Sequence, residues 1–240
     1  MTTRAEGEER RAEIAAGLAA VERRIEGACA AAGRPRADVT LVAVTKTFPA
    51  TDVLHLRALG VRDIGENRAD EADDKEYRCR AAGATDLTWH FVGQLQTNKA
   101  GVVAKCCDVV HSVDRVKLVN ALERACDRAG RDLRCLVQVD LSGQPGRGGA
   151  APDDVPAVAA AVAETEHLRL AGVMAVAPLG GNADEAFARL AEVAARVRSA
   201  HPQATTVSAG MSGDLEAAVA HGATHLRVGS ALLGSRPPLR

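Results

Sequence analysis

The amino-acid sequence predicts an α/β protein: a parallel (β/α)8 barrel of TIM type, in a single domain spanning 1–240, with one extra helix ahead of the barrel. Three observations lead there. Short apolar runs recur eight times along the chain. Longer stretches with apolar residues at helical spacing separate them, and strictly alternating elements of this kind favour a parallel sheet. No G-x-G-x-x-G follows the first run, which weakens the competing doubly wound open sheet.

The opening segment carries Ile14, Leu18, Val21, Ile25 and Cys29 on one helical face. The eight runs are "TLVAVTK" (40–46), "VRDIGE" (61–66), "TWHFVGQ" (88–94), "DVVHSV" (108–113), "RCLVQVDL" (134–141), "LRLAGVMAVA" (168–177), "TTVSAG" (205–210) and "THLRVGS" (224–230). Asp114 is the expected N-cap of "RVKLVNALERACDRA", and Gly130 stands where a C′ glycine belongs. Asp153 and Asp154 precede Pro156 at the first turn of another helix, and "ADEAFARLAEVAARVRSA" is a helix closed by His201-Pro202. The stretch "SGQPGRGGAAPDD" (142–154) reads as a loop after strand five; it lacks a P-loop lysine.

Composition narrows the function. Thirty Lys and Arg stand against 31 Asp and Glu, a formal net charge of −1, so nothing calls for nucleic acid or an anionic membrane. No apolar run approaches the roughly 18 residues of a membrane-spanning helix, and the charged "MTTRAEGEERRAEI" lacks the apolar stretch of a signal peptide. A soluble, cytoplasmic protein is expected, and a monomer, since no exposed apolar helix face stands out. The six cysteines, Cys29, Cys79, Cys106, Cys107, Cys126 and Cys135, form no C-x-x-C pair, and the seven histidines form no H-x-x-x-H pair. Reduced thiols and no metal site are expected.

In such a barrel, function sits where strands end at their C-termini. Lys46 closes the first run, sharing a strand face with Val42 and Val44. An amine so placed, partly desolvated, can attack an aldehyde to form an imine. After strand seven, Ser208, Gly210, Ser212 and Gly213 cluster at a helix start, with Asp214 in its first turn. After strand eight, Gly229-Ser230 occupy the matching place. Backbone N–H groups there attract anions, and these two loops are the usual phosphate site of the fold; ordinary capping by Ser212 or Asp214 is the competing reading. Arg227 lies between Leu226 and Val228, so alternation turns it toward the barrel interior, where it needs an anion or an acceptor. A small carbonyl compound bearing phosphate fits these parts. Pyridoxal 5′-phosphate (PLP) and a phosphosugar in a Schiff-base aldolase are both candidates.

The motifs "AVTK" (43–46), "GEN" (65–67), "WHFVGQLQTNK" (89–99), "HSVD" (111–114), "GVMA" (172–175), "SAGMSGDLEAAV" (208–219) and "RVGSALLG" (227–234) resemble the YggS/PROSC family of PLP homeostasis proteins. That family is related in fold to the N-terminal domain of alanine racemase, and the resemblance runs from about residue 8 to residue 236. It implies that Lys46 holds PLP as a Schiff base. It also implies that Ser208, Met211, Ser212, Gly213, Arg227, Gly229 and Ser230 bind the phosphate and neighbouring atoms, with Asn67 and the 90–98 segment lining the same mouth. Two positions depart from the family pattern. Arg68 stands where tyrosine is frequent, and "SGQPGRGG" replaces a loop that often carries a lysine, which puts contacts from that loop in doubt.

Racemisation needs a second base facing Lys46, usually a tyrosine. The one tyrosine, Tyr77, lies in the charged helical stretch "ADEADDKEYRCRAAG", where a solvated role is expected. The chain stops at Arg240 with no further domain to cover the mouth, which favours an open site. The resemblance likewise implies a carrier or regulator of vitamin B6, with PLP-dependent apo-enzymes as partners; a PLP-dependent racemase is the alternative.

Overall fold

The computed structural model describes residues 4–143 and 148–234. Part of the 142–154 loop and the last two residues of the family resemblance therefore lie outside the described residues.

The predicted alternation is present from end to end. Helix α1 (Arg4–Ala31) precedes β1 (Thr40–Val44), α2 (Ala50–Ala58), β2 (Asp63–Glu66), α3 (Ala69–Ala81), β3 (Thr88–Phe91), α4 (Ala100–Cys106), β4 (Val109–Val113) and α5 (Val116–Ala129). Then follow β5 (Leu133–Gln138), α6 (Val155–Ala163), β6 (Leu168–Met174), α7 (Ala183–Ala200), β7 (Thr206–Ser208), α8 (Leu215–Ala220), β8 (His225–Val228) and α9 (Ser230–Leu233). The strands close in sequence order into a parallel barrel. The seam pairs Thr40 with His225, Val42 with Arg227 and Ala43 with Val228. Strand one therefore lies beside strand eight, and the amine-bearing loop beside the glycine-serine loop.

Local chemistry explains the element ends. Gly130 terminates α5 in the left-handed region at φ 60°, where a Cβ would be strained. Asp114 does not cap α5 as expected: the helix starts one residue later, Arg115 holds the N-cap position, and the Asp114 carboxylate accepts from the Arg115 guanidinium. Asn182 caps α7, accepting from the Asp184 N–H at 3.0 Å. His201 closes that helix.

Two layers of packing follow from strand alternation. Leu226 and Val228 face outward into the large core between strands and helices. Val109, Leu136 and Met174 form a small separate cluster. Helix α1 buries Ile14, Val21, Ile25 and Cys29, with Leu18 packed alongside, and lies against α2, α8 and α9. It approaches α9 so closely that a Cβ at Gly17 would stand 2.2 Å from the Leu232 carbonyl oxygen. All six cysteines are free and buried. Among the described residues, no helix is long and apolar enough to cross a membrane, and no group of three His, Cys, Asp or Glu side chains converges as a metal site.

Candidate functional site

The βα loops enclose a cavity of about 520 Å³, lined by Val44, Lys46, Phe48, Asn67, Val92, Gly93, Val176, Met211, Ser212, Gly213, Arg227, Gly229, Ser230 and Gly234. Of the nine residues named individually for cofactor binding, all but Ser208 line it, while Gly210 and Asp214 do not. Of the 90–98 segment only Val92 and Gly93 reach the cavity; His90 and Leu95 are buried in the fold. Gly93 is required there by close approach, since a Cβ would lie 2.2 Å from the Asn67 carbonyl oxygen.

Lys46 lies two residues beyond the end of β1, in a tight turn rather than in the strand. Thr47 sits at φ 71°, the one non-glycine residue with positive φ among those described. For a β-branched side chain this is an outlier, and such strain costs about 1–3 kcal/mol and persists only where the surroundings impose it. The turn rests on a buried pair, Glu66 and Lys75, whose N–O separation is 2.6 Å. Burial pushes the Glu66 carboxyl above its usual range, and Lys75 opposes that shift.

Across the cavity the loops after β7 and β8 are joined. The Ser230 hydroxyl donates to Ser212 Oγ at 3.2 Å, and the Ala231 N–H donates to the same oxygen at 3.3 Å. Asp214 Oδ1 accepts from the Met211 N–H at 2.5 Å, bracing the loop rather than capping α8 by its side chain. The extra N-terminal helix contributes too: Arg24 donates to the Ser212 carbonyl at 2.8 Å and pairs with Glu216 at 2.7 Å. The Ser212 and Ser230 side chains and the start of α9 thus meet at one wall of the cavity.

Arg227 points inward, as alternation predicts, and is only 5% exposed. Its Nη1 donates to Ser208 Oγ at 2.5 Å and its Nη2 to the Ala175 carbonyl at 2.8 Å. Burial lowers the guanidinium to about 10, with Asp214 opposing, so it stays protonated at neutral pH. Ser208 lies fully buried behind this arginine and meets the cavity only through it.

Behind Ser208 runs a line of hydrogen bonds that the sequence reading did not anticipate. Ser208 Oγ meets His111 Nδ1 at 2.9 Å, His111 Nε2 meets His90 Nδ1 at 2.8 Å, and His90 Nε2 meets Asp63 Oδ1 at 2.9 Å. One run of donors satisfies every link: Arg227 donates to Ser208, Ser208 to His111 Nδ1, His111 Nε2 to His90 Nδ1, and His90 Nε2 to Asp63 Oδ1. Burial first, then the nearby His90 and Arg227, holds His111 well below the usual histidine range. The signal was present in "WHFV" and "HSVD": each histidine sits on a strand among buried neighbours.

An amine, a hydroxyl pair beside a helix start, and a buried cation around one cavity suit a carbonyl compound bearing an anionic group. The comparisons with known proteins agree. Residues 17–237 match the family described as alanine racemase, N-terminal domain. The pyridoxal phosphate homeostasis protein of Mycobacterium tuberculosis (strain H37Rv) is 45% identical, over 95% of this chain and 95% of that protein. Its counterpart in Escherichia coli (strain K12) is 37% identical over 93% of this chain and 97% of that protein. The structure of PipY from Synechococcus elongatus PCC7942 with PLP bound superposes with a TM-score of 0.79, at 34% identity, over 92% of this chain and all of PipY. On this match of sequence, barrel and cavity, the chain belongs to the pyridoxal phosphate homeostasis proteins, within the family of the alanine racemase N-terminal domain.

Proposed function

We propose that the chain binds PLP in this cavity as an exchangeable Schiff base on Lys46 and serves vitamin B6 homeostasis as a carrier or regulator. One observation carries the reading: Lys46, the Ser212–Ser230 pair and Arg227 all line the same cavity. PLP offers an aldehyde to an amine, a phosphate to donors and a ring nitrogen to a cation, and the donor set matches each. When bound, the cofactor supplies an electron sink. The chain's residues do the rest. Lys46 provides the attacking amine, and its turn fixes where that amine arrives. The Ser212 and Ser230 hydroxyls, with the N–H groups of Gly213 and the α9 start, hold the phosphate. Arg227, anchored to Ser208 and Ala175 on its inner side, presents its charge from beneath. Asn67 and Gly93 shape the rim, and Met211 and Val176 exclude water from part of it.

The carrier reading is preferred to a racemase because no tyrosine faces Lys46. Tyr77, the sole tyrosine, is 64% exposed on α3 and does not line the cavity. A cytoplasmic monomer handing cofactor to PLP-dependent apo-enzymes completes the proposal.

The test is hydride trapping. Borohydride reduction of protein incubated with PLP is expected to add one cofactor mass, mapped by peptide digestion to Lys46, and Lys46→Ala is expected to abolish it. Label on another residue, or none, overturns the assignment. A chiral assay across the common amino acids is expected to show no turnover beyond that of free PLP; a Lys46-dependent excess would favour the racemase.

A further inference from the structure

We propose that Lys75 is a positioning residue for Lys46: together with Glu66 and Glu71 it clamps the peptide units on both sides of Lys46 and so fixes where the amine meets an aldehyde. The inference rests on the reading of Lys46 as the cofactor-binding amine.

Lys75 lies on α3, only 4% exposed, in a stretch whose composition reads as a solvated surface. An ammonium has three donor hydrogens. Three acceptors receive them: the Thr45 carbonyl at 2.6 Å, Glu66 Oε1 at 2.6 Å and Glu71 Oε1 at 2.9 Å. The Thr45 carbonyl belongs to the peptide unit that enters Lys46. The peptide unit that leaves Lys46 is held as well, because the Thr47 N–H donates to Glu71 Oε1 at 2.5 Å. Thr45 Oγ1 donates to Glu66 Oε1 at 2.5 Å and closes the ring of contacts. One buried cation thus ties β2 and α3 to the backbone before and after Lys46.

Stability does not account for this arrangement. Breaking ions out of water is costly, and well-packed apolar residues commonly replace a buried pair without loss. Glu66 Oε2 is buried with no hydrogen-bond partner, a cost that a purely structural pair would shed. Thr47 adds a second unfavourable feature, its left-handed backbone at φ 71°. Thr47 adjoins Lys46 and Glu66 holds Thr45 on its other side, so both features persist around Lys46, where over-determined strain marks function.

The chemistry rewards such a clamp. In the condensation the Lys46 nitrogen lone pair forms a bond to the aldehyde carbon. The carbonyl oxygen then departs as water, carrying the two protons that the neutral amine gives up, with no change in oxidation state. Rate and equilibrium both depend on the nitrogen arriving at the carbon in the right direction.

The experiment compares two probes on the full chain: PLP, and pyridoxine 5′-phosphate, whose alcohol cannot condense with an amine. Lys75→Met is expected to weaken PLP binding and slow the growth of its visible absorbance by about ten- to a hundredfold. Pyridoxine 5′-phosphate affinity is expected to stay within about twofold of wild type, since its binding needs only the phosphate and ring contacts. Glu71→Ala, at a partly exposed position, keeps the test available if Lys75→Met does not fold, and is expected to show the same selective loss. Unchanged PLP binding and rate, or equal loss for both probes, overturns the clamp. Hydride trapping on wild type separates the two readings. Label on Lys46 with unaffected variants removes the clamp alone, whereas no label on Lys46 removes the reading beneath it as well.

Discussion

Acidification from pH 7 to pH 5 should destabilise the cofactor-free protein, and His225 allows the size to be worked out. Burial first, then the nearby His90, lowers its imidazole to about 4, with Asp63 opposing and Arg134 and Arg227 reinforcing. In the unfolded chain the same group titrates near its ordinary 6.5. Between those values the unfolded chain takes up a proton that the folded one refuses. Stability from this group is complete above 6.5 and is lost as pH falls, by about 1.4 kcal/mol per unit, until about 4. From pH 7 to 5 the loss is about 2 kcal/mol, equivalent to a Tm drop of about 4–8 °C for a chain of this size. His111, also held low by burial, adds a loss of the same sign. Glu66 opposes both: its raised carboxyl favours the folded chain as pH falls. That contribution is common to wild type and His225→Asn, so the difference between them isolates the histidine. The substitution leaves an amide able to meet Thr224 Oγ1, which contacts His225 Nδ1 at 2.9 Å. Equilibrium urea unfolding of both proteins at the two pH values, at constant ionic strength, measures the difference. His225→Asn is expected to lose about 2 kcal/mol less than wild type over this interval. An equal loss in both proteins would refute the reasoning, because His225 would then titrate alike folded and unfolded.

Other tests bear on the cavity. Arg227→Gln is expected to weaken PLP by about ten- to a hundredfold, the worth of a charge-assisted hydrogen bond, in equilibrium titration. Parallel titration with pyridoxal locates the contact: a much smaller loss for pyridoxal places the arginine on the phosphate, and an equal loss places it on the ring or in support of the barrel. Gly93→Ala should force Asn67 aside, because the new Cβ meets backbone at 2.2 Å. A loss of about 1–3 kcal/mol in urea unfolding, together with weaker PLP binding, is expected; wild-type values for both would show that the rim yields without cost.

Much of this architecture was legible in the sequence because strand alternation and helical spacing are local signals. Seven strands lie within the apolar runs and β5 starts one residue ahead of its run, and Arg227 faces the interior because Leu226 and Val228 claim the other face. Strand ends were less legible, for a physical reason. Val139, Leu141, Ala175, Ala177 and Ala209 lie beyond the last residues of β5, β6 and β7 yet are buried, so hydrophobicity does not fall where the strands stop. Lys46 was read as the end of a strand on the same account, although its own turn had already begun.

The sequence by itself determined the order of elements and the loops that line one cavity with Lys46, since each is encoded by neighbours a few residues apart. Only the tertiary structure decided that Ser208 serves Arg227 from behind, that His90 and His111 join it to Asp63, and that Lys75 lies under Lys46 instead of in water. These contacts unite residues from separate strands and helices, and closure of the barrel brings them within hydrogen-bonding distance. A charged helix such as α3 carries no local mark telling which of its lysines will be enclosed.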